Sequence, residues 1–175
     1  MKRIFFTALT AMLLFTLCLS SCGSDTVRDP FTDFYGNIVA TCSVNVQGAT
    51  SEIVFSRCGG AIKAEFTAPQ ALSGFVLSQG DQGFTMSYDD LTVPIRESAA
   101  LILNLCKAIF SPHYSAITDI QSEEIEGEKL TLITANDIIY TFTSKGEPKT
   151  ISGTYEGKQF TVRINSLEPS ESEKG

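Results

Sequence analysis

From Ile38 onward the chain alternates apolar and polar residues with a period of two, and this rhythm restricts it to a fold of short strands. Ile38, Ala40, Cys42, Val44 and Val46 alternate with Val39, Thr41, Ser43, Asn45 and Gln47. Successive side chains of a strand point to opposite faces, so such a run reads as a strand with one polar face. Gly48 marks a turn, and Ile53, Val54 and Phe55 open the next strand. Cys58-Gly59-Gly60 is a tight turn signal, because glycine reaches positive φ without steric cost. Ile62, Ala64 and Phe66 then alternate with Lys63 and Glu65, and Pro69 and Gln70 close that run. Further hairpins are predicted around residues 80–83, at Asp89-Asp90, Gly127, Asn136-Asp137, Gly146-Glu147-Pro148 and Gly157. Runs this short and evenly spaced predict an antiparallel meander of about ten strands. Before it, Phe31, Phe34, Tyr35 and Ile38 recur near helical spacing and predict one short helical turn.

Residues 97–110 break the rhythm. Ala99, Ile102, Leu103, Cys106, Ile109 and Phe110 form a stripe at helical spacing, and Leu101, Leu105 and Ala108 widen it. Only Asn104 and Lys107 are polar in the middle. Ser98 is placed to cap such a helix and Pro112 to stop it. A helix that is apolar over most of its circumference must be enclosed by protein or face an apolar partner.

The N-terminus is of a different kind. Lys2 and Arg3 precede an apolar run over residues 4–19, interrupted only by Thr7, Thr10 and Thr16. A basic start, an apolar run and small residues at the cleavage point make a secretory signal. The run is short for a transmembrane span, which needs roughly 20 residues. Leu19-Ser20-Ser21-Cys22 resembles the lipobox of bacterial lipoproteins, which implies diacylation of the Cys22 thiol and cleavage after residue 21. Each buried acyl CH₂ is worth roughly 0.8 kcal/mol, and two chains hold where one is marginal. The expected organisation is a signal peptide over 1–21, a lipidated tether over 22–30, one domain over 31–167, and a disordered tail over 168–175. The anchored protein would sit on the outer face of the cell membrane. In a cell with two membranes, Gly23 after Cys22 directs it to the outer one.

Composition narrows the partners. Losing Lys2 and Arg3 leaves 11 of the 13 basic residues against 20 acidic ones, a mature charge of −9. That balance argues against nucleic acid and against a polybasic grip on anionic lipid. Glu123, Glu124, Glu126 and Glu128 cluster, as a solvated strand edge or as hard oxygen ligands for calcium. Cys18 leaves with the signal, and Cys42, Cys58 and Cys106 remain in the domain. Cys42 and Cys58 flank a hairpin turn and are a candidate disulfide if the strands bring them opposite. Cys106, inside the helical stripe, reads as a buried free thiol. His113 falls just past the helix end, at a surface position, and Cys106 is about two turns earlier, poor geometry for a Cys–His pair. No zinc spacing, phosphate loop or nucleophile elbow occurs. No catalytic residue, metal or cofactor is therefore assigned, and the chain is expected not to be an enzyme.

Several stretches carry a resemblance. Phe66-Thr67-Ala68-Pro69 with Leu72-Ser73-Gly74-Phe75 looks like a strand–Pro–strand step near the start of a sheet. Gly83-Phe84-Thr85-Met86-Ser87-Tyr88-Asp89-Asp90 looks like the following hairpin arm. Gly146-Glu147-Pro148 with Ile151 resembles a late turn, and Phe160-Thr161-Val162-Arg163-Ile164-Asn165 a closing strand. Together they resemble the lipoprotein-carrier superfamily of the Lol carrier and its receptor, most nearly small clostridia-type lipoproteins. The long N-terminal helix of the true carriers is nearly absent. The resemblance implies an α+β, mostly β fold: a curved antiparallel sheet, an incomplete β-barrel, with one apolar helix inserted mid-chain against its concave face. It implies an apolar ligand, a lipid or acyl chain, lined by Phe66, Phe75, Phe84, Met86, Leu101, Leu105 and Phe142. Each of these is also an ordinary core residue by type. The alternative is a non-catalytic adaptor that holds an envelope protein such as a cell-wall enzyme, with Tyr35, Tyr88, Tyr140 and Tyr155 as contacts. The oligomeric state is left open.

Overall fold

A computed structural model describes residues 29–170. The expected signal peptide, Cys22 and residues 171–175 lie outside them. The strands are β1 (Ile38–Val46), β2 (Ala49–Cys58), β3 (Ala61–Ala68), β4 (Val76–Gly80), β5 (Gly83–Tyr88), β6 (Leu91–Pro94), β7 (Ile117–Ile125), β8 (Glu128–Ala135), β9 (Ile138–Phe142), β10 (Pro148–Tyr155) and β11 (Lys158–Pro169). One helix, α1 (Leu101–Ile109), lies between β6 and β7.

All eleven strands form one antiparallel sheet in the order β6-β5-β4-β3-β2-β1-β11-β10-β9-β8-β7. Each half is the meander that the turn signals predict. The halves are joined by the first strand against the last, with Val44 opposite Val162 and Ile38 opposite Pro169. The two open edges, β6 and β7, are therefore consecutive in the chain, and the connection between them carries α1. Register slips occur at Thr41/Cys42, Glu52/Ile53, Ile117/Asp119 and Pro148/Thr150. Such bulges bend a strand and add right-handed twist, which curls a long sheet.

The period-two residues face inward. Ile38, Ala40, Cys42 and Val44 of β1, Ile53 and Phe55 of β2, and Ile62, Ala64 and Phe66 of β3 are all buried. The expected N-terminal turn is present as a 3-10 turn, Thr32–Phe34, with Phe31 and Phe34 fully buried. At the start of the described residues, Asp29 Oδ1 accepts from the Phe31 amide at 2.9 Å.

Two boundaries differ from expectation. The helix is not continuous over 97–110: Glu97–Ala99 is a 3-10 turn, Ala100 breaks it at φ −97 and ψ 34, and α1 follows. The break places Ala100 wholly inside the core. Ser98 caps nothing, as Ala100 holds the cap position with no side-chain bond. Glu168 and Pro169 are not tail either, because they close β11 against Val39 and Ile38. The β1 partner supplies the ladder that their composition does not suggest.

Candidate apolar ligand site

The helix lies nearest β3 on the concave face and is seated by an aromatic cluster. Phe110, at its C-terminal end, stacks on Phe55 of β2, with centroids 4.9 Å apart and an interplanar angle of 11°. Phe34 stacks on Phe110 at 6.0 Å. Phe31 meets Tyr140 edge-on at 4.9 Å, and Phe142 completes the group at 6.2 Å from Phe31. Pairs of this kind add about 0.5–1.5 kcal/mol beyond their area. Tyr140 is 2% exposed, and its hydroxyl donates to the Ile109 carbonyl at 3.1 Å. It is thus a clasp for the helix end and no surface contact. Burial raises its pKa and keeps it a donor.

Arg57 fastens the same end. In β2 the inward positions run Ile53, Phe55, Arg57, so the guanidinium points into the concavity beside Ile38 and Ile62. Its nitrogens donate to the Gly36 carbonyl at 2.8 Å, the Phe110 carbonyl at 2.9 Å, Ser111 Oγ at 2.8 Å and the Phe34 carbonyl. One side chain thereby ties the N-terminal turn to the C-terminus of α1. The last carbonyls of a helix have no partner within it and carry partial negative charge, which suits a cation. Burial lowers the pKa of Arg57 from its ordinary value. Period-two counting reaches Arg57 as an inward position, so the signal for this residue was present in the sequence although it was not singled out.

Beyond β3 the concave face changes character. Ala64, Leu77, Met86 and Val93 are register neighbours across β3–β6. A second row runs from Phe66 to Phe75, whose carbonyl accepts from the Phe66 amide at 2.8 Å, then to Tyr88 and Leu91. Tyr88 stacks on Phe75 at 4.5 Å. Along this second row exposure climbs from 8% at Phe66 to 49% at Tyr88 and 65% at Leu91. The two rows hold no charged residue. Lys107 of α1 reaches β4, donating to Gln79 Oε1 at 3.1 Å.

The seven residues expected to line a ligand site divide. Phe66, Leu105 and Phe142 are buried core. Phe75, Phe84 and Met86 are half-buried on the arm of strands β4–β6 and pack against that core. Leu101 is elsewhere, in a shallow depression with Glu97, Asn104 and Tyr155. Val93, Tyr88 and Leu91 share the face of Met86 and Phe75.

The candidate disulfide is corrected. Cys42 lies opposite Ile53 and Cys58 opposite Ala61, and both are free thiols. Five residues of strand separate Ile53 from Cys58, roughly 16 Å at the usual rise, whereas a disulfide needs Cα atoms within about 7 Å. The hairpin register is set at Val46–Ala49, which puts Ile53 opposite Cys42 and leaves Cys58 further along β2. Burial, with Glu52 adding, pushes the Cys42 thiol up to about 12, and burial, with Cys42 adding, pushes Cys106 well above its usual value. Both are protonated, and a thiol is a poor nucleophile. Glu123, Glu124 and Glu126 stand exposed along the β7–β8 hairpin, and Glu128 there is paired with Lys149.

No family model and no curated protein matches the chain. Solved structures are similar to it at low identity. One is the lipoprotein LppX of Mycobacterium tuberculosis, 13% identical over 84% of this chain and 96% of that one, with a TM-score of 0.49. Another is a LolA-superfamily protein from Nitrosomonas europaea, 9% identical over 77% and 86%, with a TM-score of 0.37. A third is the MucA/MucB complex of Pseudomonas aeruginosa, 13% identical over 85% of this chain and 57% of that one, TM-score 0.40. Likeness at this level says nothing of ligand or activity, which must come from the chain's own geometry.

Proposed function

We propose that the protein is an extracytoplasmic lipoprotein, anchored through Cys22, that binds an apolar ligand, a lipid or acyl chain, on the concave face of its half-barrel. The supporting observation is the arm: two rows without a charged side chain, buried at β3 and open at β6, beside a helix that lies nearest β3 and touches β4 through Lys107. Concave apolar surfaces that pass from core to solvent are the usual seats of apolar ligands. Each methylene covered there contributes up to about 0.8 kcal/mol. Deeper entry would have to displace α1, and so break the Arg57 and Tyr140 bonds to the helix end.

The test uses the Cys22→Ser chain, incubated with a lipid extract and weighed by native mass spectrometry. A one-to-one adduct of acyl-lipid mass is expected, and it should vanish in Met86→Glu, whose half-buried position tolerates a charge without loss of the β signature in circular dichroism. Bare protein in both samples would end this reading. The adaptor alternative draws its support from the exposed aromatic and aliphatic residues at the arm's rim, Leu72, Tyr88 and Leu91. It predicts a stoichiometric crosslinked envelope protein whose capture Leu91→Asp abolishes.

A further inference from the structure

A third inward row completes the arm, and it is not wholly apolar. It runs from Ile62 of β3 to Gln79 of β4 and Phe84 of β5. Ile95 extends it, its amide donating to the Phe84 carbonyl at 3.0 Å. Gln79 is two residues from the buried Leu77, so it lies on the same inward face. Lys107 of α1 donates to its Oε1 at 3.1 Å. One corner of the arm, where the helix meets β4, is therefore polar. The opposite corner is Leu91 of β6, 65% exposed.

The chemistry of the polar corner is one-sided. The bond to Gln79 engages one of the three donors of the Lys107 ammonium and, being to a neutral oxygen, leaves its charge in place. With Oε1 so used, Gln79 presents its amide nitrogen, which also donates. A corner that offers donors and a positive charge suits a group that only accepts, which an ionised carboxylate or phosphate does. Bonds between ionised partners are roughly twice as strong as neutral ones. The chain as a whole has a net charge of −7, so its long-range field repels anions and any preference for one must be local.

The two corners also set a length. From Gln79 to the level of Phe75 is four residues, roughly 13 Å, and from β4 to β6 is two strand spacings, roughly 10 Å. The diagonal is about 16 Å. Carbon–carbon bonds of roughly 1.5 Å advance about 1.25 Å each when fully staggered, so about 14 carbons cover it. We propose that the arm selects a single-chain anionic amphiphile, with a carboxylate or phosphate head at Lys107 and Gln79 and a chain of about 14 carbons running to Leu91. This rests on the arm as the ligand's seat and adds the headgroup and the span.

The test titrates the Cys22→Ser chain with myristate, with myristoyl lysophosphatidate and with methyl myristate, which keeps the chain and removes the charge. Each stays below its micellar concentration, and the Met86 methyl and Lys107 ammonium resonances report binding. Myristate should bind roughly tenfold tighter than its methyl ester, the gain of one charge-assisted bond. In Lys107→Gln, at an exposed position where folding is not at stake, that difference should shrink to about twofold or less. The tighter of the two anions tells a free acid from a lysolipid as the source. Equal binding of acid and ester by the parent would overturn the headgroup while leaving the arm as the seat. Discrimination that survives Lys107→Gln would overturn it too, since the anion would be held elsewhere. Stearate should bind no tighter than myristate, and a further gain would overturn the span. Failure of every probe to bind would overturn both this proposal and the arm.

Discussion

Replacing Arg57 by Met isolates what holds α1 in place. The substitution keeps an unbranched apolar stem and deletes the four bonds to Phe34, Gly36, Phe110 and Ser111. Two of them fall on the helix side. Hydrogen bonds to charged groups contribute roughly 1.5–3 kcal/mol each, and at a partly exposed site the low end applies, about 3 kcal/mol for the two. Part of that is offset by the desolvation of the guanidinium, whose lowered pKa records it, leaving about 2 kcal/mol. A loss of that size is about a 30-fold change in the opening equilibrium of the helix. Amide hydrogen exchange separates local from global opening. The α1 amides should exchange about 30-fold faster in Arg57→Met, while the β1 and β11 amides, held by ladders on both sides, change much less. Arg57→Lys should restore only part of the protection, since one ammonium cannot span acceptors on two elements. A uniform acceleration over helix and sheet, or none in the helix, would refute the view of Arg57 as a local clasp.

Gly153 of β10 should not accept a side chain. A Cβ there would lie 3.1 Å from the Asp137 carbonyl oxygen and 3.4 Å from Ile138 Cα, so Gly153→Val should cost about 1–3 kcal/mol in urea unfolding. Stability should fall in alkali. Cys42 binds its proton more tightly folded than unfolded, so its contribution is whole below pH 9 and drains between pH 9 and about 12. The slope from Cys42 alone is about 1.4 kcal/mol per pH unit, read from denaturant midpoints. Cys42→Ala should lower the total slope by that amount, while the buried Cys106 keeps its own share. Cys22→Ser should move the protein from the membrane pellet to the soluble fraction, and a variant that stays with membranes would remove the anchor from the account.

Much of the fold was legible because strand and helix periods are local. The run Ile62, Ala64, Phe66 announces an inward face whatever it packs against, and the structure buries those three. The stripe from Leu101 to Phe110 likewise required cover and received it. Legibility stopped where two distant segments had to be matched. The Cys42–Cys58 pairing failed because hairpin register depends on which residues start the turn, and a shift of a few positions moves a side chain by many ångströms. Tyr140 read as a surface aromatic, yet its ring joins Phe31, more than a hundred residues earlier in the chain. Among the lining candidates, type alone could not separate Phe142, which is core, from Phe75, which lies on the open arm.

By itself, the sequence determined an acidic chain with strands of alternating face and one enclosed helix. These follow from composition and short-range periodicity. Tertiary structure alone decided that β1 closes on β11, that Arg57 and Tyr140 clasp the helix end, and that the apolar face lies open at β6. Each of these depends on residues brought together across the chain by packing, and no local pattern records which partner a strand edge or a buried donor will meet.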